Sequence, residues 1–387
     1  MKIAFISFGH IDVAITLLKY ISRSTEIDLY LVFSKKNRRE SIINFNHLAV
    51  PARILSHEKT LNIIPAEIRK YINNSFNYSI FIYDNFKISN IKNIAMSYKF
   101  SKILRKQQYN CIHFNGNNFQ QLPISLFTPN IAKVHTIHDY EAHSGEINKW
   151  AQRINKMLML SKNQKIMHSK NIASYAHPRI KSSLNIIYYG PLEIYKKWEK
   201  LDVLEEHNTL LFFGRISPYK GIEYLVESIS LVKNIIPDIK LIIAGAGKYY
   251  FNVDNLLNDP AYEIINHYLS NEELVKLIQR ASTIICPYTD ATQSGVIMTA
   301  FAFNKPVIAS AVGGIPELIL HNETGILVPP RNPGALANAI IELLLNSHKL
   351  NELKSNMEIR CKKSPFSWDV IAEQTINVYK KALEQKH

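Results

Sequence analysis

Cysteine is scarce: the chain holds three, Cys111, Cys286 and Cys361, far apart. That spacing argues against a metal knuckle or a disulfide framework and fits a reducing cytoplasm. Long apolar runs are missing too. None reaches the ~18 residues that a membrane-spanning helix needs. No low-complexity tract and no repeat of solenoid length is found. The opening "MKIAFISFGHIDVAI" meets a polar break after its first apolar run, the pattern of a strand and turn rather than a signal peptide. Acidic residues are sparse in one half only. Residues 1–190 hold 26 Lys+Arg against 10 Asp+Glu, and residues 191–387 hold 20 against 22, so the net charge of +14 belongs to the first half. Such a half suits an anionic membrane, an acidic substrate, nucleic acid, or simply a solvated lysine-rich surface. It contains no recognisable nucleic-acid reading module, so no nucleic-acid partner is expected.

What is present is apolar content for two cores. The 387 residues are 47% hydrophobic, and single cores stop growing at ~250–300 residues. Short β-branched and aromatic runs alternate with helix-period segments along the whole chain, among them "KIAFISF", "IDLYLVF", "KVHTIHD", "TLLFFGR" and "IKLIIAGAG". Several are continuously apolar, as parallel strands covered on both faces are. The fold class is therefore α/β, with doubly wound sheets. The densely charged "GPLEIYKKWEKLDVLEEHN" interrupts the rhythm. It predicts a linker at 191–208 between a first domain, 1–190, and a second, 209–365, followed by an amphipathic helix within 366–387 that Ser367 would cap. Two Rossmann-like domains of this kind face each other across a cleft.

The candidate chemistry gathers past the ends of strands. In "FFGRISPYKGIEYL" Arg215 and Lys220 follow an apolar strand, flanked by Gly214 and Gly221. A guanidinium binds two phosphate oxygens at once and an ammonium adds a compact charge. A turn with two solvated bases would read the same locally. "LIIAGAG" ends in Gly245 and Gly247, which let a ligand approach the main chain. In "CPYTDATQSGVIM" a helix starts near Ser294 and Gly295, whose free N–H groups make an anion site. "AVGGIPELI" places Glu317 after a double glycine, either to hold hydroxyls or merely to sit in a first helical turn.

Taken together, "GRISPYKG", "IIAGAG", "NEELVKLIQRASTIICPY", "QSGV", "KPVIASAVGGIPELI", "NETGILVPP" and "FSWDVIAEQT" resemble the donor domain of the retaining GT-B glycosyltransferases of the glycogen synthase and phosphatidylinositol mannosyltransferase type (group 1, family 4). The first half is similar more loosely, through "FISFGHIDVA" and "HTIHDYEAHSGE". The resemblance implies that Arg215, Lys220, Ser294 and Gly295 bind a donor diphosphate, and that His138 and Asp139 lie at the donor sugar. It also implies a first-domain loop at Gly9 and His10, and a nucleoside site at Gly245, Gly247, His267, Thr299 and Glu317. Arg215, Lys220 and His138 would carry the catalysis. The last helix would cross back onto the first domain.

One departure matters. The family has two glutamates eight positions apart around the helix start, and here those positions fall on Ala291 and Thr299. Asp290, Thr292 and Gln293 are the expected replacements at the sugar. The implied function is transfer of a sugar from a UDP- or GDP-linked donor to a saccharide or polyprenyl-linked saccharide, in surface polysaccharide or glycolipid synthesis. No cofactor besides the nucleotide sugar is expected, and no metal. His135, His138 and His143 with Asp139 form a conceivable zinc set, but without helical i,i+4 spacing. A non-catalytic GT-B subunit and a sugar epimerase remain as alternatives. The basic first half, through "SKKNRR" and through Lys99, Lys102 and Lys106, predicts peripheral attachment to the inner face of the cytoplasmic membrane.

Overall fold

Continuous apolar runs become strands buried on both faces. The computed structural model describes residues 1–46, 54–87, 89–138, 160–174, 178–363 and 365–385. The first half carries β1 (Lys2–Ser7), β2 (Glu26–Ser34), the short β3 (Arg39–Glu40) and β4 (Ile43–Asn44), β5 (Ile54–Leu55), β6 (Asn77–Tyr83), β7 (Cys111–Asn115), β8 (Ala132–Ile137), β9 (Gln164–Met167) and β10 (Leu184–Ile186). The second carries β11 (Thr209–Phe213), β12 (Lys240–Ala244), β13 (Tyr262–Ile265), β14 (Thr283–Cys286), β15 (Val307–Ser310) and β16 (Ile326–Val328).

The strand orders decide where a ligand can enter. The first sheet runs β10-β9-β8-β7-β1-β2-β6-β5 and the second runs β13-β12-β11-β14-β15-β16. All pairings are parallel except β5 with β6. Each sheet starts in its middle and winds out to both sides. The crossovers therefore part company between β1 and β7, and again between β11 and β14. Those are the switch points at which open parallel sheets bind ligands, beyond their carboxyl ends. β3 and β4 form a separate hairpin, with Arg39 opposite Asn44 and Glu40 opposite Ile43.

The chain crosses between the halves twice, side by side. Gly190 sits where a Cβ would meet the Phe366 carbonyl oxygen at 2.5 Å. Trp368 then donates its indole N–H to the Pro191 carbonyl (2.8 Å). The charged segment expected as a linker folds into a short 3₁₀ helix, Glu193–Trp198, with Ile194, Tyr195 and Trp198 buried between the halves. Lys196 and Lys197 point outward from it, while Glu193 accepts the Tyr20 hydroxyl (3.0 Å). The last helix, Trp368–Glu384, packs on the helix Ile11–Ile21 and on β8. Ser367 stands at its N-cap without a side-chain capping bond.

The basic clusters separate. On the helix Ile91–Lys106, Lys99, Lys102 and Lys106 are exposed, while Phe100 and Leu104 are buried. The 34–39 cluster is divided: Lys35 pairs with Asp84 at 2.8 Å, and Arg39 turns to the second half, where it donates to the Leu269 carbonyl (3.3 Å). No described helix is long and apolar enough to cross a membrane.

Beneath the last helix, His113 is fully buried. Its Nδ1 meets the Tyr379 hydroxyl at 2.7 Å and its Nε2 meets the Thr136 hydroxyl at 2.7 Å. Burial, helped by His135 and His168, lowers its pKa to about 3. Burial lowers His135 to about 3 as well, with Lys165 and Lys133 adding to it. Both rings are therefore neutral in the fold, whereas the unfolded chain protonates them near ~6.5. Their stabilisation is complete above ~6.5 and is lost as pH falls from there towards about 3. Between pH 7.5 and 5.0 each costs about 2 kcal/mol. Urea unfolding at the two pH values should show this fall, and His113→Gln should be less stable at pH 7.5 but show a shallower dependence.

Candidate active site

The second domain's half of the site starts where β11 ends. Gly214 donates to the Ala244 carbonyl (3.0 Å) and Ile216 to the Ala246 carbonyl (3.1 Å), so 214–216 runs alongside 245–247. Gly245 has φ +148°, and a Cβ there would lie 1.8 Å from the Gly214 carbonyl oxygen. Only glycine permits this approach. Arg215 then projects, exposed, into a cavity of about 600 Å³ whose walls include Gly214, Gly245, Gly247, Tyr268 and, from the first domain, Ser41.

Lys220 ends the short 3₁₀ helix Pro218–Lys220. Gly221 follows with φ +64°, its Cα face against the Pro287 carbonyl. That contact holds the turn onto the end of β14. The Lys220 ammonium lies 3.8 Å from the centroid of the fully buried Tyr288 ring, a cation–π seat that aims the charge. Lys220 lines a second hollow of about 270 Å³ together with His10, Asp12, Gln293, Ser294 and Gly295. Ser294 is the N-cap of the helix Gly295–Ala302 and accepts from the Ile297 N–H. First-turn N–H groups have no intrahelical partner, and a Cβ on Gly295 would meet nothing within 4 Å. The hollow thus has an ammonium and a helix start on one wall.

The opposite wall is the first domain's switch point. Ser7 ends β1 in register with Asn115 at the end of β7. The Asn115 amide donates to the Gly9 carbonyl (2.8 Å) and to the Ser7 hydroxyl (3.1 Å). Its Oδ1 is thereby turned to His138 Nε2 at 2.8 Å, so that Nε2 carries the proton. His138 Nδ1 keeps its lone pair, is buried, and has no hydrogen-bond partner among the described residues. Burial, then His10, His168 and His113, hold this imidazole well below its usual pKa. His10 adopts φ +53° and stacks on His138 with centroids 3.7 Å apart. The ring that faces the hollow is therefore His10, with His138 beneath it.

Two further groups join the site from the β3–β4 hairpin. Glu40 Oε1 accepts the His10 N–H at 3.0 Å. Burial pushes its carboxyl up against the opposing pull of His10 and Arg215. Ser41 accepts the Asp12 N–H (3.2 Å), which fastens the hairpin to the first helix. Arg39 lies over the Tyr268 ring, and Asn271 donates to the Ile42 carbonyl (3.0 Å). The sequence hid Glu40 behind its basic neighbours, and nothing local marks Asn115 or Tyr268.

The structure thus brings together Arg215, Lys220, Ser294, Gly295, Gly245, Gly247, Gly9, His10 and His138. Asp290 and Thr292 stand half-buried before the same helix, and Gln293 donates to the His138 carbonyl across the cleft (3.2 Å). Three others lie elsewhere. Thr299 is buried and spends its hydroxyl on the Gly295 carbonyl (2.8 Å). His267 is exposed against Glu273 (3.1 Å). Glu317 accepts four bonds from the first domain: Ser169 hydroxyl (2.7 Å), the Lys170 and Asn171 N–H groups (2.8 Å each) and Tyr188 hydroxyl (2.7 Å). Asp139 and His143 lie outside the described residues. His135 has its ring nitrogens against Gln121 (3.1 Å) and Asn163 (3.2 Å).

Residues 207–346 match the family model described as glycosyl transferases group 1. The chain is 30% identical over 219 residues to an uncharacterized glycosyltransferase of Methanocaldococcus jannaschii, covering 52% of this chain and 55% of that one. It is 25% identical over 180 residues to the alpha-D-kanosaminyltransferase of Streptomyces kanamyceticus, 46% of each. The chain spans about half the length of the curated relatives it matches. Among solved structures, sucrose-phosphate synthase from Thermosynechococcus elongatus superposes over 100% of both chains with TM-score 0.68 and 18% identity. Anabaena Alr3699/HepE, solved in complex with UDP-glucose, does so over 98% of this chain and 100% of its own, with TM-score 0.66 and 16% identity.

The Glu317 cluster generates a test of the junction. Charge-assisted bonds contribute roughly 1.5–3 kcal/mol. Glu317→Gln cannot accept from all four donors, and half-exposure puts the loss at the lower end of that range. Amide exchange at Lys170 and Asn171 should accelerate. Unchanged exchange and an unchanged urea midpoint would show that the cluster does not tie the domains.

Proposed function

We propose, from the premise that residues 207–346 are a group 1 glycosyltransferase domain within a GT-B fold, that this chain moves a sugar from a UDP- or GDP-linked donor to a saccharide or polyprenyl-linked saccharide. One observation carries the reading. Arg215, Lys220 and the Gly295 helix start all follow the two strands of one switch point, β11 and β14, with Arg215 in one hollow and the other two in the next, which also holds His10 of the His10–His138 stack.

In this reading the nucleoside lies in the cavity beside Gly245 and Gly247, and its diphosphate lies between Arg215, Lys220 and Gly295. Negative charge grows on that diphosphate as the sugar–phosphate bond breaks. Fixed donors already aimed there lower the barrier without reorganising, and they do so without a divalent ion. The imidazoles of the opposite wall meet the sugar as hydrogen-bonding groups. The donor phosphate itself then takes the acceptor's proton, with retention of configuration. Asp290, Thr292 and Gln293 select the sugar. Anabaena Alr3699/HepE, solved in complex with UDP and with UDP-glucose, supports the donor class.

A second reading has a specific observation behind it. Ala291 is buried, and Thr299 is buried and bonded to its own helix. Neither offers a carboxylate where the resemblance places one, as a non-catalytic subunit would have it. Release of UDP or GDP from a panel of nucleotide sugars separates the two. In the catalytic case Lys220→Ala keeps the fold and loses roughly 10²-fold or more in rate, and the wild type keeps its rate in EDTA. A fully active Arg215→Ala/Lys220→Ala double variant would sink the assignment.

The acceptor side points to a membrane surface, at the inner face of the cytoplasmic membrane. The helix Ile91–Lys106 exposes Lys92, Lys99, Lys102, Arg105 and Lys106. Ile91, Tyr98 and the nearby Leu126 are exposed at 78%, 49% and 73%. Each basic residue near anionic lipid contributes ~1 kcal/mol, within a Debye length. The protein should float with vesicles containing anionic lipid and be released in ~0.5 M salt. Equal binding to neutral vesicles, or none to either, would contradict this.

A further inference from the structure

The site holds an unusual imbalance of carboxylates. The position that resembles a ribose-binding glutamate is Thr299, whose hydroxyl is consumed within its helix. Glu317 is consumed by four first-domain donors. Asp12 accepts the Tyr195 hydroxyl on Oδ2 (3.0 Å) and the Val13 N–H on Oδ1 (2.9 Å). Glu40 differs. Oε1 takes the His10 N–H, and Oε2 has no hydrogen-bond donor among the described residues. Arg215 is near enough that its charge helps hold the Glu40 carboxyl down against the effect of burial. The next residue, Ser41, is in the wall of the cavity that holds Arg215.

The placement is rigid. Arg39 and Ile42, on either side of Glu40 and Ser41, are both bonded to the second domain, and Ser41 is bonded to the first helix. A carboxylate held in this way beside a phosphate-binding arginine is poor design for binding phosphate alone, since like charges repel. It is good design for a ligand that brings a hydroxyl next to its phosphates.

We propose that Glu40 is a donor-binding residue: its free oxygen accepts a hydrogen bond from a hydroxyl of the bound nucleotide sugar, beside the phosphate contact of Arg215. The first domain thereby supplies the carboxylate that the second domain's helix lacks at 299. The hydroxyl belongs to the ribose or to the transferred sugar. Both sources present the same chemistry, and both make donor selection a property of the two domains together. This inference rests on the nucleotide-sugar reading above.

Calorimetry on the full chain tests it, with pyrophosphate, UDP, GDP, 3′-deoxy-UDP, UDP-glucose and GDP-mannose as probes. Glu40→Gln keeps an acceptor for the His10 N–H, so the hairpin has its anchor. Glu40→Ala removes the carboxylate altogether. Both should weaken the nucleotide ligand about 10–100-fold, the range for a hydrogen bond to a charged group. Pyrophosphate, which has no sugar hydroxyl, should bind both variants as well as the wild type or better. A structural or purely electrostatic role moves both probes in the same direction. If the ribose is the partner, the wild type prefers UDP to 3′-deoxy-UDP and the variants do not. If the transferred sugar is the partner, only the nucleotide sugar weakens. Wild-type affinities for every nucleotide ligand in both variants, or a parallel loss of pyrophosphate, would overturn the role of Glu40. A wild type that binds pyrophosphate but no nucleotide would instead overturn the nucleotide-sugar reading, and this inference with it.

Discussion

The cleft depends on the way a parallel sheet ends. Each strand delivers its chain to the same edge, and at the switch point neighbouring crossovers leave towards opposite faces. In this protein that happens between β1 and β7 and between β11 and β14. The backbone is left with turns that no helix covers, so the groups placed there stay reachable. Gly214 and Gly245 press two such turns together until no side chain fits between them. Arg215, the next residue, is where a charge can stand in the open on a rigid base.

Because Arg215 and Lys220 sit on one sheet and the histidine stack on the other, the relation of the domains is part of the site. Polar contacts hold it at three places, one of them the Gln293 bond to the His138 carbonyl across the cleft. Near the chain crossings, Glu317 fills the start of a first-domain segment. On the cavity side, Arg39 and Asn271 join the β3–β4 hairpin to the loop around Tyr268. Neutral bonds of this kind contribute about 1 kcal/mol net and charge-assisted ones more, and removing one partner of either is costly. They suit surfaces that must meet in one register, in contrast to the close packing of the last helix on the helix Ile11–Ile21.

Chain order and local chemistry were enough for the alternation of strand and helix, the two sheets, and the cations that follow β11. Apolar runs bury wherever they are, and a glycine-rich strand end reads as an approach to backbone in any context. The helix start at Ser294 was legible for the same reason, since its capping chemistry is local. By contrast, Glu317 read locally as a hydroxyl partner or a first-turn acid, and Thr299 entered the nucleoside site only through the resemblance; the fold turns one to the first domain and the other into its own helix. Arg39 read as one more surface base.

The sequence by itself thus determined what each segment is: strand, cap, glycine turn, basic helix. Only the tertiary structure decided which groups share a space. The tautomer of His138 is set by Asn115, 23 residues away, which is itself held by Gly9 and Ser7. The carboxylate that bonds the His10 N–H comes from position 40, in the β3–β4 hairpin. The reason is physical: propensity and capping act over a few residues, whereas hydrogen-bond satisfaction and charge act over a few ångströms. Sheet winding sets which distant residues stand that close.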